Sequence, residues 1–262
     1  MDLELATPTL LGFLLGTLRG VAWLLVVPPF SGRTIPTPVK IVLAVTLALP
    51  VTPKLAVAAP DMTLPDVVAS AVLQILAGVS LGFVTYLLFA AVQAAGDLID
   101  LFGGFQLAQG FDPMSNSQNS VFGKLHHLLA VTLLFVLDGH LLVIRGFLKS
   151  YETVPLDASI PMGRFAEILV TGLGSFFLAA LQIAGPLVGV LFLVDVGLGL
   201  LTRIAPALNP FSLGFPAKIL ATLLLVGVTI PLLPDALESV VDLGLRAVAS
   251  AARPAVTTAA EE

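Results

Sequence analysis

A chain of 262 residues with 57% hydrophobic and 11% charged residues, and a mean hydropathy of +1.04, lies outside the usage of soluble globular proteins and reads as an all-α integral membrane protein. Its net charge of −5 and pI near 5.1 argue against a nucleic-acid partner, which requires a basic face, and give anionic lipid headgroups no specific claim beyond ordinary contact with membrane lipid. Cysteine is absent, so redox compartment is not readable, and the length holds about six spans of roughly 20 residues, which implies one membrane domain over residues 1–245.

The chain begins Met1-Asp2-Leu3-Glu4, acidic where a cleavable signal peptide is positive, so the first apolar run is expected to stay attached. Six apolar regions follow, at about 9–30, 41–59, 67–96, 125–148, 168–202 and 219–234. The first contains Gly12, Gly16 and Gly20, a tandem GxxxG, and Gly78–Gly82 and Gly185–Gly189 repeat the spacing. Glycines one turn apart let helix backbones approach closely, either inside one chain or between subunits. Pro28-Pro29, Pro36, Pro38, Pro50 and Pro53 then break the first hairpin, whose turn holds Arg33 and Lys40. Backbone groups freed at such breaks are tolerated in a membrane only where protein or a water-lined cavity satisfies them.

The third region, Val67 to Gly96, has no charge and as a helix would be about 45 Å long, against a hydrocarbon core of about 30 Å. It must tilt, bend or extend beyond the lipid. Next comes the uncharacteristic stretch of the chain, GGFQLAQGFDPMSNSQNSVFGK from Gly103 to Lys124, glycine-rich, polar and almost uncharged between apolar runs. Every side chain from Ser115 to Ser120 gives or accepts hydrogen bonds, and none is charged. On its residues alone it reads as an extramembrane connection.

His126 and His127 are adjacent, about 100° apart on a helix, and so are poorly placed to chelate one metal. Asp138-Gly139-His140 sets a carboxylate and an imidazole in an apolar run, as a structural pair, a helix break or a proton relay. The fifth region contains Gly185-Pro186, where the lost hydrogen bond and ring clash favour a kink. Asp195 lies too far from Arg203 for a pair on one straight helix and marks helix packing or a subunit contact.

The last hairpin carries Pro206, Pro210, Pro216, Pro231 and Pro234, and PFSLGFPAKILA from Pro210 echoes PFSGRTIPTPVKIVLA from Pro29, each leading to a lysine, Lys218 or Lys40. The positive-inside rule would put both turns, with Arg33, Lys40, Arg203 and Lys218, in the cytoplasm and the N-terminus outside, although Arg145, Lys149 and Arg164 nearly balance them. Residues 246–262 lack apolar periodicity and read as a disordered tail. No GxxxxGK[ST] or HExxH motif is present, and neither catalytic residues, a cofactor site nor a metal site is expected.

Four fragments in order, PPFSGRTIPTPVKIVLA with Arg19 before it, GDLIDLFGGFQLAQGFDPMSNSQ, LDGHLLVIRGFLKSYETVP, and Ala180 to Leu220, resemble the FliR/SctT family of type III secretion export-gate proteins. The resemblance covers roughly residues 8–240. It implies a non-enzymatic subunit that forms, with FliP and FliQ, the channel through which unfolded flagellar substrates cross the inner membrane at the flagellar basal body, partly above the membrane plane, with FlhB and FlhA as further partners. It further implies a FliP-like half over about 1–160 joined to a FliQ-like half over about 165–245.

The family's corresponding loop plugs the channel. Carried over by position, the plug here spans Gly103, Gly104, Phe105, Gly110, Phe111, Asp112, Pro113, Met114, Ser115, Asn116, Ser117 and Gln118, with Phe105 and Phe111 filling the lumen. Two alternatives stay open: a SctT-type subunit of a virulence injectisome, and a secondary transporter whose broken helices bring Asp138, His140 and Asp195 to a midplane site.

Overall fold

The computed structural model describes residues 2–32, 35–57, 59, 63–106, 120–156, 162–205 and 210–237, and among these every regular element is a helix. In chain order they are α1 (Asp2–Val26), α2 (Pro28–Ser31), α3 (Thr37–Ala48), α4 (Thr52–Val57), α5 (Leu64–Gly103), α6 (Val121–Val136), α7 (Gly139–Thr153), α8 (Met162–Ile204) and α9 (Pro210–Thr229). Five stretches are long and apolar enough to cross a membrane, and a sixth is obtained if the bent pair α6–α7 counts as one span.

Proline and glycine set most of the ends. Pro28 and Pro29 stop α1 and seed α2, because their fixed φ suits a first helical turn that needs no donor. Thr63 caps the start of α5, its Oγ1 accepting from the Asp66 N–H at 3.4 Å and its hydroxyl donating to the Asp66 carboxylate. At the other end Gly104 takes φ 82°, a left-handed stop open to glycine. With 40 and 43 residues, α5 and α8 are about 60 Å or more long, well beyond the hydrocarbon thickness. At Gly185-Pro186, α8 runs on as one helix with Pro186 inside it. A break falls at Asp138, which takes φ 56° between α6 and α7, a conformation unfavourable for a residue with a Cβ.

The chain forms two compact units, one from the described residues of Met1–Tyr86 and Asp138–Leu173, the other from those of Leu87–Leu137 and Gly174–Asp242. In the first, Leu15, Trp23, Leu24, Val27, Ala44, Leu55, Phe147, Tyr151 and Leu156 make the core, with Trp23 stacked on Phe147 at 4.4 Å. The α1 glycines admit this packing. A Cβ on Gly12 would stand 2.8 Å from the Leu55 carbonyl carbon, one on Gly16 2.5 Å from Leu55 Cδ1, and one on Gly20 3.1 Å from Ala44 Cβ. On α5, Gly78 lies against the Arg19 carbonyl and Gly82 against Val26. All five therefore serve packing within the chain.

Arg19 organises the same unit. Its side chain is 0% exposed, and its guanidinium is met by polar and aromatic partners. Nε donates to Gln74 Oε1 at 2.7 Å, Nη1 to the Ser150 carbonyl at 3.0 Å and Nη2 to the Val154 carbonyl at 2.7 Å, while the guanidinium carbon sits 4.5 Å over the Tyr151 ring. Ser150 and Val154 are where α7 ends, so the guanidinium closes that helix's negative pole and joins it to α1 and α5. Tyr151 returns a hydrogen bond from its hydroxyl to the Gly16 carbonyl at 2.7 Å.

In the second unit, Ile99, Phe122, Leu187 and Val226 form one cluster, and Ala91, Ala179 and Ala180 a second where α5 meets α8. Away from these seams α8 and α9 expose Phe177, Phe192, Leu193 and Val228, apolar side chains suited to lipid or to another protein.

Candidate functional site: the root of the polar segment

Both ends of the polar segment are held in the second unit by buried groups. At the exit, Gly103 lies against Thr222, where a Cβ would stand 2.8 Å from Oγ1, and Gly104 faces the Phe215 ring, where a Cβ would stand 3.4 Å from Cε2. The missing side chain of Gly103 lets the end of α5 come this near α9, and Gly104 supplies the left-handed turn. Phe105 then turns inward, edge-on to Phe122 at 5.0 Å, in the Ile99 cluster. It anchors the root of the segment, its ring packed beside Phe122 and the Ile99 cluster.

At the re-entry, Ser120 caps α6, its Oγ accepting from the Gly123 N–H at 2.8 Å. Asp100, 1% exposed and one turn before the end of α5, accepts at Oδ2 from the Ser120 hydroxyl and, at 3.0 Å, from the Phe122 N–H. Asp97, one turn earlier, presses its carboxylate on Gly123, while Gly96 lies on the Phe122 backbone. Two carboxylates thus face the positive end of α6, where unpaired backbone N–H groups favour negative charge. His126, one turn into α6, uses Nδ1 on the Phe122 carbonyl at 2.8 Å, and His127 meets the Phe89 ring edge. The adjacent imidazoles accordingly serve different partners, and no group of three or more potential metal ligands occurs among the described residues.

Beside this root, Lys218 and Asp195 pair at 2.7 Å, tying α9 to α8. Asp195 thereby has a partner that sequence reasoning missed, since it searched along one helix toward Arg203. Lys40 is likewise engaged, donating to the Ser31 and Gly32 carbonyls at 3.1 and 3.3 Å and so satisfying backbone freed at the first proline turn. Pro29 lies in α2 and Pro210 begins α9. Arg33 and the plug residues Gly110, Phe111, Asp112, Pro113, Met114, Ser115, Asn116, Ser117 and Gln118 lie outside the described residues. Gly185 and Gly189 on α8 have nothing within 4 Å of an added Cβ, in contrast to the five glycines packed within the chain.

Long apolar helices, with buried polar side chains spent on helix ends, define an integral membrane protein built from helices. The chain belongs to the bacterial export proteins, family 1, which it matches over residues 10–243. It is 33% identical over 220 residues to the flagellar biosynthetic protein FliR of Pectobacterium carotovorum subsp. carotovorum, covering 84% of each chain. With the FliR of Escherichia coli (strain K12) the identity is 34% over 219 residues, 82% of this chain and 83% of the relative. The Yop proteins translocation protein T of Yersinia pestis is 31% identical over 156 residues, 58% of this chain and 60% of the relative. Membership of this family makes the chain a membrane component of a bacterial protein export apparatus, working with other parts of that apparatus.

Proposed function

We propose that the chain is a subunit of the flagellar type III export gate, assembling with FliP and FliQ homologues, and with FlhB and FlhA homologues nearby, into the inner-membrane channel of the basal body that passes unfolded substrates. It acts without catalysis of its own. Its first 160 residues or so play a FliP-like part and residues from about 165 to 245 a FliQ-like part. The polar segment after Gly104 plugs the channel at rest, and Gly185 and Gly189 meet a neighbouring subunit. The observation that carries the plug reading is the rigid root: Gly103, Gly104 and Phe105 at one end and Ser120 and Phe122 at the other are packed and hydrogen-bonded. A connection with no task has no need of so firm a mounting.

The match with the Yersinia translocation protein keeps a virulence secretion system as the second reading. The flagellar relatives favour the first, since they match 82 to 84% of the chain against 58%. Co-expression of the full chain with FliP and FliQ homologues from the same genome is the test. A stable ternary complex supports the gate. A chain that purifies alone and moves a small solute in vesicles is a transporter, and the proposal fails.

A further inference from the structure

The geometry points to Asp100 as the positioning residue of the gate's resting state, holding the two stems of the polar segment together by gripping the N-terminus of α6. This rests on the plug reading above and adds the residue on which the plug's placement depends.

Three observations converge on it. Asp100 is 1% exposed, deep for a carboxylate, and no lysine or arginine among the described residues bonds to it. Its Oδ2 takes two donors that sit on either side of the start of α6, the Ser120 hydroxyl and the Phe122 N–H, 20 and 22 residues further along the chain. The backbones beneath are stripped of side chains where they touch, Gly96 on Phe122 and Gly123 on the Asp97 carboxylate. A buried carboxylate is costly unless it is engaged, and here Oδ2 is engaged by the Ser120 hydroxyl and one N–H of the first turn of a helix, whose partial positive charge favours the anion, while Oδ1 is buried without a hydrogen-bond partner.

The Ser120 hydroxyl donates to Asp100 and accepts from Gly123, so one chain of hydrogen bonds runs from α5 through the cap into α6. While it holds, the segment leaves and re-enters the fold at neighbouring points. If the Asp100 link is broken, α6 loses its polar tether to α5, and the two stems are held only by the packing of Gly96 and Phe105 on Phe122.

The experiment is amide exchange at Phe122 and Gly123, together with ion conductance, in the assembled complex of the full chain. Asp100→Ala should speed exchange at Phe122 by about tenfold or more and raise resting conductance several-fold. Asp100→Asn keeps an amide oxygen for the Phe122 N–H and should restore both most of the way to the wild-type value, a rescue that loss of bulk packing does not allow. Should Asp100→Ala not assemble, Ser120→Ala removes the hydroxyl link without touching the charge and is judged by the same two readouts. Unchanged exchange at Phe122 in an assembled variant overturns the clamp. Faster exchange with wild-type conductance overturns its role in the seal, provided that a complex lacking residues 113–118 leaks. If that deletion also fails to leak, the plug reading itself is what has failed.

Discussion

At the scale of single residues the chain spends its few buried charges on helix ends. Arg19 closes α7, Lys40 closes α2 and Asp100 opens α6, each meeting backbone groups that a bilayer leaves without water. Arg19 is the most committed, with acceptors on three residues, Gln74, Ser150 and Val154, and a ring. Its loss removes the charged partner of a buried Gln74 oxygen and of the Val154 carbonyl, while the Ser150 carbonyl keeps the Val154 N–H, and charged hydrogen bonds of this kind are each worth about 1.5–3 kcal/mol. Arg19→Met is therefore expected to destabilise the purified chain by about 3 kcal/mol or more. Arg19→Lys should recover little of this, because an ammonium cannot span a fork of acceptors on three residues. Unfolding in detergent, followed by helical circular dichroism, checks both. A Lys variant as stable as wild type would show that charge alone matters at this site.

At the scale of elements the glycines divide by what faces them. Gly12 meets the Leu55 backbone, which cannot yield, whereas Gly16 meets the end of the flexible Leu55 side chain. Gly12→Ala should thus cost about 1–3 kcal/mol by overpacking and Gly16→Ala distinctly less, measured as midpoint shifts in the same unfolding assay. On α8 the expectation reverses. Gly189→Leu adds a side chain where nothing lies within 4 Å, so the lone chain should keep or gain up to about 1 kcal/mol from helix propensity. Yield of the complex with FliP and FliQ homologues should fall. Full recovery of that complex would place Gly189 against lipid instead of a subunit.

The helices themselves were legible because a run such as Val67 to Gly96 has only one stable form in hydrocarbon, and their ends were legible where proline or glycine marks them. The pairing of elements was not. Arg19 finds acceptors 131 and 135 residues away, Asp100 donors 20 and 22 away, and Asp195 its lysine 23 away on another helix. No local period encodes such distances. The glycine spacing announced close approach on α1, α5 and α8 alike, but spacing does not say whether the approaching surface belongs to the same chain.

At the scale of the molecule, α5 and α8 each contribute residues to both compact units, and the polar segment departs from the end of one of these long helices. Ser115 to Ser120 looks in the sequence like one uniform polar run, yet Ser120 is the cap of α6 and a partner of Asp100. A deletion that includes it would remove the mounting together with the tip and could not separate the two. Removing residues 113–118 alone leaves Phe105, Ser120 and Asp100 in place, so the stems stay packed while the part carried over as plug is shortened. The complex should then assemble in normal yield, and cells holding it should admit small ions at rest at a rate clearly above wild type. Membrane conductance at the wild-type level, in a complex shown to be assembled, would mean that the seal lies elsewhere in the gate.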